Sequence, residues 1–252
     1  MTTDHPSAYC FFQDLAPRPP LDAAFDRDYL LYAIRGALRV SVAGESWLLP
    51  PSFAAWLPAN TPISVDIDKP VTTCSVLARP GLCTGLPEKA CVFQMSPMAR
   101  QMIHYCKDWG PDAAHPAQAE GFFLALLHVC ADLAVKSVDV KRPTATDPVL
   151  RKAIDITEAH LAQAITANEI ARKVNLSERS MQRHFQMDVG MTWSQTLTQL
   201  RMIHAVALLA EGKLSIIQIA GYTGFQSLSA FNRAFRTFAA TTPTKFRKAL
   251  LD

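Results

Sequence analysis

The sequence predicts an α+β fold in two parts: an antiparallel β-barrel with trailing helices, followed by an all-α domain. Three observations predict it. Residues 29–78 contain short apolar runs separated by turn residues, whereas the hydrophobic period is helical throughout residues 147–252. The second part also repeats one pair of helices, with a long helix between the two copies. A chain of 252 residues is long enough to form two such domains, each with its own core.

The composition excludes several classes of protein. No apolar run approaches the roughly 18 residues of a membrane span, and no basic region precedes an apolar run near the N-terminus. We therefore expect a cytoplasmic protein without a membrane partner. The six cysteines all lie at or before Cys130 and none forms a CxxC pair, so buried reduced thiols are expected rather than a metal site.

The two halves of the chain differ in charge. Residues 1–146 carry a net charge of −2 and residues 147–252 a net charge of +5, which together give the +3 of the whole chain. An excess of positive charge in one half indicates that this half meets a polyanion.

Residues 1–94 are predicted to form the barrel. Tyr29–Ile34 is a run of strand formers, and Leu38–Val42 alternates apolar and polar residues as a half-buried strand does. A turn at 43–46 separates these residues from the next strand formers, Trp47–Leu49. Further short runs follow at 53–57, 63–67 and 72–77. Turns at this close spacing are typical of small antiparallel barrels and sandwiches.

Two helices are predicted in residues 95–135. Ser96 is a candidate N-cap with Pro97 at the first helical position, and the residues that follow have helical spacing. The second helix, residues 117–135, is too apolar for an isolated surface helix. It must pack on the barrel, on its neighbour or on a second subunit. Residues 136–146 are polar, lack a period and are predicted to be the interdomain linker.

Helix-start signals recur throughout residues 147–252. Thr166 and Glu169 have the spacing of a capping box. The long helix that opens at Thr192 is predicted to end at Gly212. Other helix starts are predicted at Asp147, Ser177, Ser215, Ser227 and Pro243. These signals predict an all-α domain.

An internal repeat lies within this domain. Each copy has an Ile-Ala pair, then a serine that caps a second helix, and then a phenylalanine eight residues after that serine. These residues are Ile170, Ala171, Ser177 and Phe185 in copy one, and Ile219, Ala220, Ser227 and Phe235 in copy two. Each copy is therefore a short helix, a tight turn and a second helix, which is the helix-turn-helix arrangement. The extra residue of copy two lies in its turn, where Gly224 can take a positive φ.

The second helix of each copy has one apolar and one polar face. In copy one, Met181 and Phe185 share the core face by their i,i+4 spacing. The opposite face is rich in Arg and Gln, which bond bidentately to guanine and adenine in the major groove. The predicted DNA-binding residues are Arg179, Gln182, Arg183 and Gln186 in copy one, and Ser229, Asn232, Arg233 and Arg236 in copy two. The alternative is two ordinary solvated faces, and the matched repeat argues against it.

Three segments closely resemble the DNA-binding domain of AraC/XylS-type transcriptional regulators: Leu176–Gly190, Leu200–Gly212 and Tyr222–Arg247. The resemblance implies two helix-turn-helix units bridged by the long helix, with both recognition helices in successive major grooves on one DNA face. It also implies base contacts from the first three residues of each predicted set, and we expect Arg236 to hold a phosphate. One departure is Ala239-Ala240, where the family usually has an aromatic-glycine pair. A slightly altered packing is expected there, with DNA binding retained.

For the first half, the resemblance implies a cupin-type sensing barrel followed by helices that dimerise. Candidate effector-binding residues are Tyr32, Arg35, Trp47 and Trp56. Membership of the core is the alternative for the three aromatic residues. No histidine lies between His5 and His104, so the histidine cluster of metal-dependent cupins is missing. We therefore expect no catalytic residues, no metal site and no cofactor.

The sequence thus predicts a sequence-specific DNA-binding transcriptional regulator controlled by a small molecule, and not an enzyme. Its expected partners are double-stranded DNA, a small-molecule effector, RNA polymerase and a second copy of the chain. An activator is expected, although repression fits the same residues. One alternative is a regulator controlled by a protein partner through residues 96–135. A less favoured alternative is a cupin-type enzyme fused to a DNA-binding domain.

Overall fold

The computed structural model describes residues 5–135 and 140–251 and divides the chain into two compact units. The first unit consists mainly of the residues through Ala43 and Trp47–Val140, and the second of Gly44–Ser46 and Lys141–Lys248. The two units together have the predicted α+β fold class, antiparallel sheets followed by a helical domain. Within the described ranges, no helix combines the length and apolar character needed to cross a membrane.

The first unit is built on two antiparallel sheets. One has the strand order β1-β8-β3-β6-β9, and the other contains β5-β4-β7-β2 in that order. The strands are β1 (Ala8–Leu15), β2 (Arg18–Ala23), β3 (Asp28–Arg35), β4 (Leu38–Val42), β5 (Glu45–Leu49), β6 (Phe53–Leu57), β7 (Ile63–Ile67), β8 (Val71–Ala78) and β9 (Cys91–Gln94). Neighbours in sequence are thus mostly not neighbours in a sheet, and the pairing depends on long-range contacts.

The first sheet buries both of its faces. Residues at alternate positions of β3, such as Leu30 and Tyr32, pack in a core with helices α1 (Pro97–Tyr105) and α2 (Ala119–Ala134). The positions between them, such as Tyr29 and Leu31, line a cavity on the other side of the sheet. Successive strand residues point to opposite faces, so the register decides which aromatic side chains reach the cavity.

The second unit is helical except for one short strand. Its elements are β10 (Lys141–Arg142), α3 (Pro148–Ala159), α4 (Ala167–Lys173), α5 (Glu178–His184), α6 (Trp193–Glu211), α7 (Ile216–Tyr222), α8 (Leu228–Ala239) and α9 (Pro243–Leu251). A π-helical turn, Phe185–Val189, follows α5 directly. The Thr166–Glu169 capping box predicted from the sequence is present, with both of its reciprocal hydrogen bonds.

Candidate nucleic-acid interface and ligand cavity

The first helix-turn-helix unit consists of α4 and α5. Met181 of α5 and Phe185, the first residue of the π-helical turn, are completely buried with Ile170 and Ala171 of α4 in one hydrophobic core. The turn between the helices passes through Asn175, whose φ is +57°. Packing of this kind fixes the rotation of α5 about its own axis, so its polar face is directed away from the core.

The polar face of α5 carries the residues predicted to read DNA. Arg179, Arg183 and Gln186 are exposed, and none of the three side chains takes part in a hydrogen bond or ion pair within the described residues. Gln182 is half-buried, and its Oε1 accepts a hydrogen bond from the Trp193 N–H at 3.4 Å. Three of the four predicted residues are therefore free for a partner, while Gln182 also holds the start of α6.

The second helix-turn-helix copy, which consists of α7 and α8, repeats this arrangement. Phe231 and Phe235 are completely buried, and Arg233 and Arg236 are exposed. Asn232 is half-buried, like Gln182 at the matching position of copy one. Ser229 is exposed, and its hydroxyl lies 3.1 Å from that of the capping Ser227. Leu228 at the start of α8 is 39% exposed.

The correspondence between the copies extends beyond these residues. The sequence of buried, half-buried and exposed positions is identical in residues 181–190 and 231–240, fifty positions apart. Both segments end in a left-handed residue, Gly190 with φ +76° and Ala240 with φ +52°. Both are then followed by a helix capped by a threonine, Thr192 or Thr242. The structure thus presents two equivalent basic helix faces.

One cation that the sequence analysis did not select connects the loop after α3 with the turn of copy two. Arg201 of α6 donates hydrogen bonds to the carbonyls of Leu161 (3.2 Å) and Gln163 (3.1 Å) in the loop after α3. Its guanidinium also lies 5.6 Å from the ring centroid of Phe225 in the turn of copy two. Burial lowers the pKa of this guanidinium below its ordinary value. A lone arginine inside an apolar helix was the available sequence signal.

The sheets of the first unit enclose a cavity of about 310 Å³, which is within the range of small-molecule sites. Its lining is mainly apolar and aromatic and includes Phe11, Phe25, Tyr29 and Leu31. Arg18 is the only charged residue among the side chains that line it. Burial raises the pKa of Tyr29, so this phenol stays neutral.

The four residues predicted to bind an effector lie elsewhere. Tyr32 and Trp56 point to the opposite face of their sheet, and Trp56 Nε1 donates a hydrogen bond to the carbonyl of Pro87 at 2.9 Å. Trp47 is buried and Arg35 is exposed at the end of β3, and neither lines the cavity. The physical reason is the strand alternation, which directs Tyr29 into the cavity and Tyr32 away from it.

The cysteines are free thiols, and all except the half-buried Cys91 are buried. Cys10 and Cys74 have their Sγ atoms 3.4 Å apart on the helix side of the first sheet. Burial raises the pKa of Cys130 to about 12, so this thiol stays protonated near neutral pH. Within residues 5–135 and 140–251, no group of three or more His, Cys, Asp or Glu side chains is arranged to hold a metal ion.

Comparison with known proteins places the similarity in the second unit and, more weakly, across the chain. A family model described as a helix-turn-helix domain matches residues 170–249. The HTH-type transcriptional regulator NimR of Escherichia coli (strain K12) is 23% identical over 219 residues, which are 86% of this chain and 78% of NimR. The HTH-type transcriptional activator RhaR of Escherichia coli O1:K1 / APEC is 30% identical over 105 residues.

The matched portions differ in extent. The alignment with RhaR covers 42% of this chain and 37% of RhaR. A solved structure of a transcriptional regulator from Chromobacterium violaceum, described by its AraC-type DNA-binding domain, is 30% identical with a TM-score of 0.40. It covers 42% of this chain and 94% of that structure.

Proposed function

We propose that this chain, a DNA-binding transcriptional regulator of the AraC type, reads a specific duplex sequence with α5 and α8 together. The observation that carries the proposal is the repeated face: the same order of buried and exposed positions, with free arginines outward in both copies. A single basic helix face is common on protein surfaces. Two faces with matched caps, cores and left-handed ends are what a two-groove DNA reader requires.

The roles within each face follow from side-chain chemistry. Arg179 and Arg183 are exposed and unpaired, so each can offer its planar fork to the O6 and N7 acceptors of a guanine. Gln186 and Arg236 lie further along their helices, and we assign Arg236 to a phosphate. Because Gln182 already accepts a bond from α6, its amide group remains available mainly as a donor to DNA.

In vitro selection tests this proposal. The full chain is incubated with a random duplex library, and the retained duplexes are sequenced and footprinted. We expect a single bipartite sequence, protected in two neighbouring major grooves on one face of the duplex. Retention of duplexes without a shared sequence, or protection of only one groove, contradicts the proposal.

Control by a small molecule is the second part of the proposal. The cavity supports it, because a space of about 310 Å³ with a mostly apolar lining suits a small ligand. Arg18 is the charged group at this lining, and Phe11, Phe25 and Tyr29 provide aromatic surface. We assign the effector to the class of small aromatic or aliphatic compounds with one anionic group.

Calorimetry on the full chain tests the ligand class. An aryl alkanoate is compared with its neutral amide, and each is titrated into the wild-type protein and into Arg18→Ala. We expect tighter binding of the acid by the wild type, with the preference lost in Arg18→Ala. If acid and amide bind equally well to both proteins, the assigned class is wrong. A matched substitution, Arg79→Ala, at an exposed arginine that does not line the cavity, controls for a general loss of positive charge.

The remaining partners are part of the same proposal. A DNA-binding regulator works in the compartment that holds its DNA, which is the cytoplasm in bacteria.

Homodimerisation through residues 95–135 is supported by the exposed Met98 and Tyr105 on α1, which are 58% and 65% exposed. A protein partner on the same helices is the alternative, and sedimentation velocity of the purified chain distinguishes the two. We propose an activating mode because RhaR is named a transcriptional activator. Contact with RNA polymerase is proposed as the means of that activation.

A further inference from the structure

One carboxylate joins the end of the linker to the first recognition helix. Asp188 lies in the π-helical turn that follows α5. Its Oδ2 accepts a hydrogen bond from the Asp147 N–H at 2.9 Å, and its Oδ1 accepts bonds from the Thr146 N–H at 3.2 Å and from the Thr146 hydroxyl. Three donors from two consecutive residues therefore converge on one side chain that is distant in sequence.

The rest of this segment is held to the same helical unit. Arg142 is buried, and its guanidinium donates to Glu158 (Nε to Oε2, 2.9 Å) and to Asp155 (Nη2 to Oδ1, 2.5 Å) on α3. Arg151 Nη2 donates to the Thr146 carbonyl at 3.1 Å. Residues 142–147 are thus attached to the helices of the second unit at both ends. They lie at the start of its long segment, which begins at Lys141 directly after Val140 of the first unit.

The turn that carries Asp188 is of an uncommon kind. π-Helical turns are rare and usually occur as single turns at functional positions, because their backbone geometry is less favourable than that of an α-helix. The turn Phe185–Val189 contains Gln186 and follows Arg183 by two residues. The Asp188 bonds therefore support a segment next to side chains that we assign to DNA.

The second copy has no carboxylate at the matching position. Fifty positions after Asp188 stands Phe238, which packs on Phe235 with their ring centroids 6.2 Å apart. The helix α8 runs as a regular α-helix through this position to Ala239. The carboxylate that makes the linker contact is therefore present in copy one and replaced by an aromatic ring in copy two.

We propose that Asp188 is a positioning residue that couples the linker to α5, so that a signal that displaces residues 142–147 weakens DNA recognition by α5 and leaves α8 unaffected. This rests on the proposed function, since the coupling changes the affinity for DNA only if α5 contacts DNA. The displaced linker removes three hydrogen bonds from the turn, and the turn no longer holds Arg183 and Gln186 in the DNA-reading position. Coupling between two sites of a protein typically changes affinity about 5- to 150-fold.

The test uses the full chain and a duplex that the wild-type protein selects from a random library. The half-site of α5 is identified as the half whose hydroxyl-radical protection is lost in Arg183→Ala, and the half-site of α8 by Arg233→Ala. Three variants are then footprinted: Asp188→Asn, Thr146→Val and the double variant. Glu211→Gln, which removes an exposed carboxylate at the end of α6, controls for the loss of one negative charge near DNA.

Asp188→Asn is expected to weaken binding about tenfold relative to the control, with protection lost only in the α5 half-site. Thr146→Val removes one hydroxyl donor and is expected to weaken the same half about threefold. The double variant is expected to bind DNA as tightly as Asp188→Asn does, because both changes disrupt the same contact between residues 146 and 188. Thermal unfolding in parallel identifies any variant that fails to fold.

The proposal is overturned if Thr146→Val binds like wild type, if the two changes are additive, or if Asp188→Asn weakens both half-sites equally. Each of these results is obtained on a duplex that the wild type recognises. Failure of the wild type to select any duplex contradicts the proposed function instead, so the two failures are distinguishable.

Discussion

The two helix-turn-helix copies have the same pattern of burial and different backbones. In copy one the second helix is short, Glu178–His184, and continues as a π-helical turn before Gly190. In copy two the corresponding helix, Leu228–Ala239, is α-helical throughout and stops at Ala240. The core positions are equivalent, so the differences lie where each copy meets its surroundings. Copy one is attached to the linker through Asp188, and copy two to the loop after α3 through Arg201.

This contrast indicates that an internal repeat conserves its core geometry more strictly than its ends. Met181 and Phe185 match Phe231 and Phe235 in burial although the first residue of each pair differs in type. The residues after them differ more: Gln186 is matched by Arg236, which is also polar, but Met187 is matched by Thr237 and Asp188 by Phe238. The second helices of the two copies therefore have matching buried positions and are attached to different neighbouring segments.

The largest effect is expected in the turn of copy two. Gly224 has φ +77°, and a Cβ there would lie 2.1 Å from the Leu161 carbonyl oxygen and 2.5 Å from Arg201 Nη2. Gly224→Ala is expected to destabilise the domain by about 3 kcal/mol, through backbone strain and the loss of the Arg201 contacts. Urea unfolding measures it. Gly221→Ala in α7, which meets nothing within 4 Å, is the matched control and is expected to be neutral or stabilising.

A second prediction distinguishes an arginine that contacts a base, Arg183, from one that contacts a phosphate, Arg236. Arg183→Ala is expected to cost about 1–3 kcal/mol on the selected duplex and to relax base preference at one position. Arg236→Ala is expected to weaken specific and random duplexes alike and to reduce the salt dependence of binding by about one unit of slope. Fluorescence anisotropy at several salt concentrations measures both. If Arg183→Ala loses the same affinity for specific and random DNA, a role of Arg183 in base recognition is contradicted.

A third prediction concerns the left-handed residues that end the two segments. Ala240 has φ +52°, a conformation that costs an L-residue about 1 kcal/mol and glycine almost nothing. Ala240→Gly is therefore expected to stabilise the domain by up to about 1 kcal/mol, and Gly190→Ala to destabilise it by a similar amount. Thermal unfolding of the two variants should shift in opposite directions. A shift in the same direction would show that the two ends are not equivalent.

The smallest effect is expected in the pH dependence of stability. It concerns copy one alone, because Asp188 has no counterpart in copy two. Hydrogen bonds from the Thr146 hydroxyl and the Asp147 N–H lower the pKa of Asp188 below its ordinary value of 3.8. The charged form is thus favoured in the folded state, so its stabilising contribution is present above the ordinary pKa and lost as the pH falls through the lowered one. Urea unfolding from neutral pH into the acid range should show a steeper loss for wild type than for Asp188→Asn. Parallel curves for the two proteins would contradict this assignment.

Local rules were sufficient to predict the α-helices of the second unit, although not its short strand β10 or its π-helical turn. Capping residues such as Thr166, Ser177 and Thr192 act within one helical turn, so their pattern is readable without tertiary contacts. The same holds for the spacing of Met181 and Phe185. The predicted domain boundaries and DNA contacts stay predictions, because a boundary and a base contact both depend on partners outside the local sequence.

The first unit was harder to predict because its signals are long-range. Strands β1, β2 and β9 lie outside the predicted run of residues 29–78. β2 contains two prolines and is almost wholly exposed, so neither propensity nor alternation marks it as a strand. β3 has aromatic residues on both faces, Tyr29 and Tyr32, and only the pairing with β6 and β8 decides which one enters the cavity. Two of the four candidate effector residues, Tyr32 and Trp56, therefore lie on the helix side of the sheet.

The left-handed alanine that ends α8 also affects how this regulator can change during evolution. Alanine and glycine codons differ by one base, so a single mutation at Ala240 can relieve the strain of a φ of +52°. The stability gained, up to about 1 kcal/mol, is similar to the loss caused by an average substitution. A lineage that first acquires glycine there could accept a destabilising replacement at Asn232 or Arg233 and so acquire a new operator preference. Copy one already has a glycine, Gly190, at the matching position, so the same stabilising replacement is not available there.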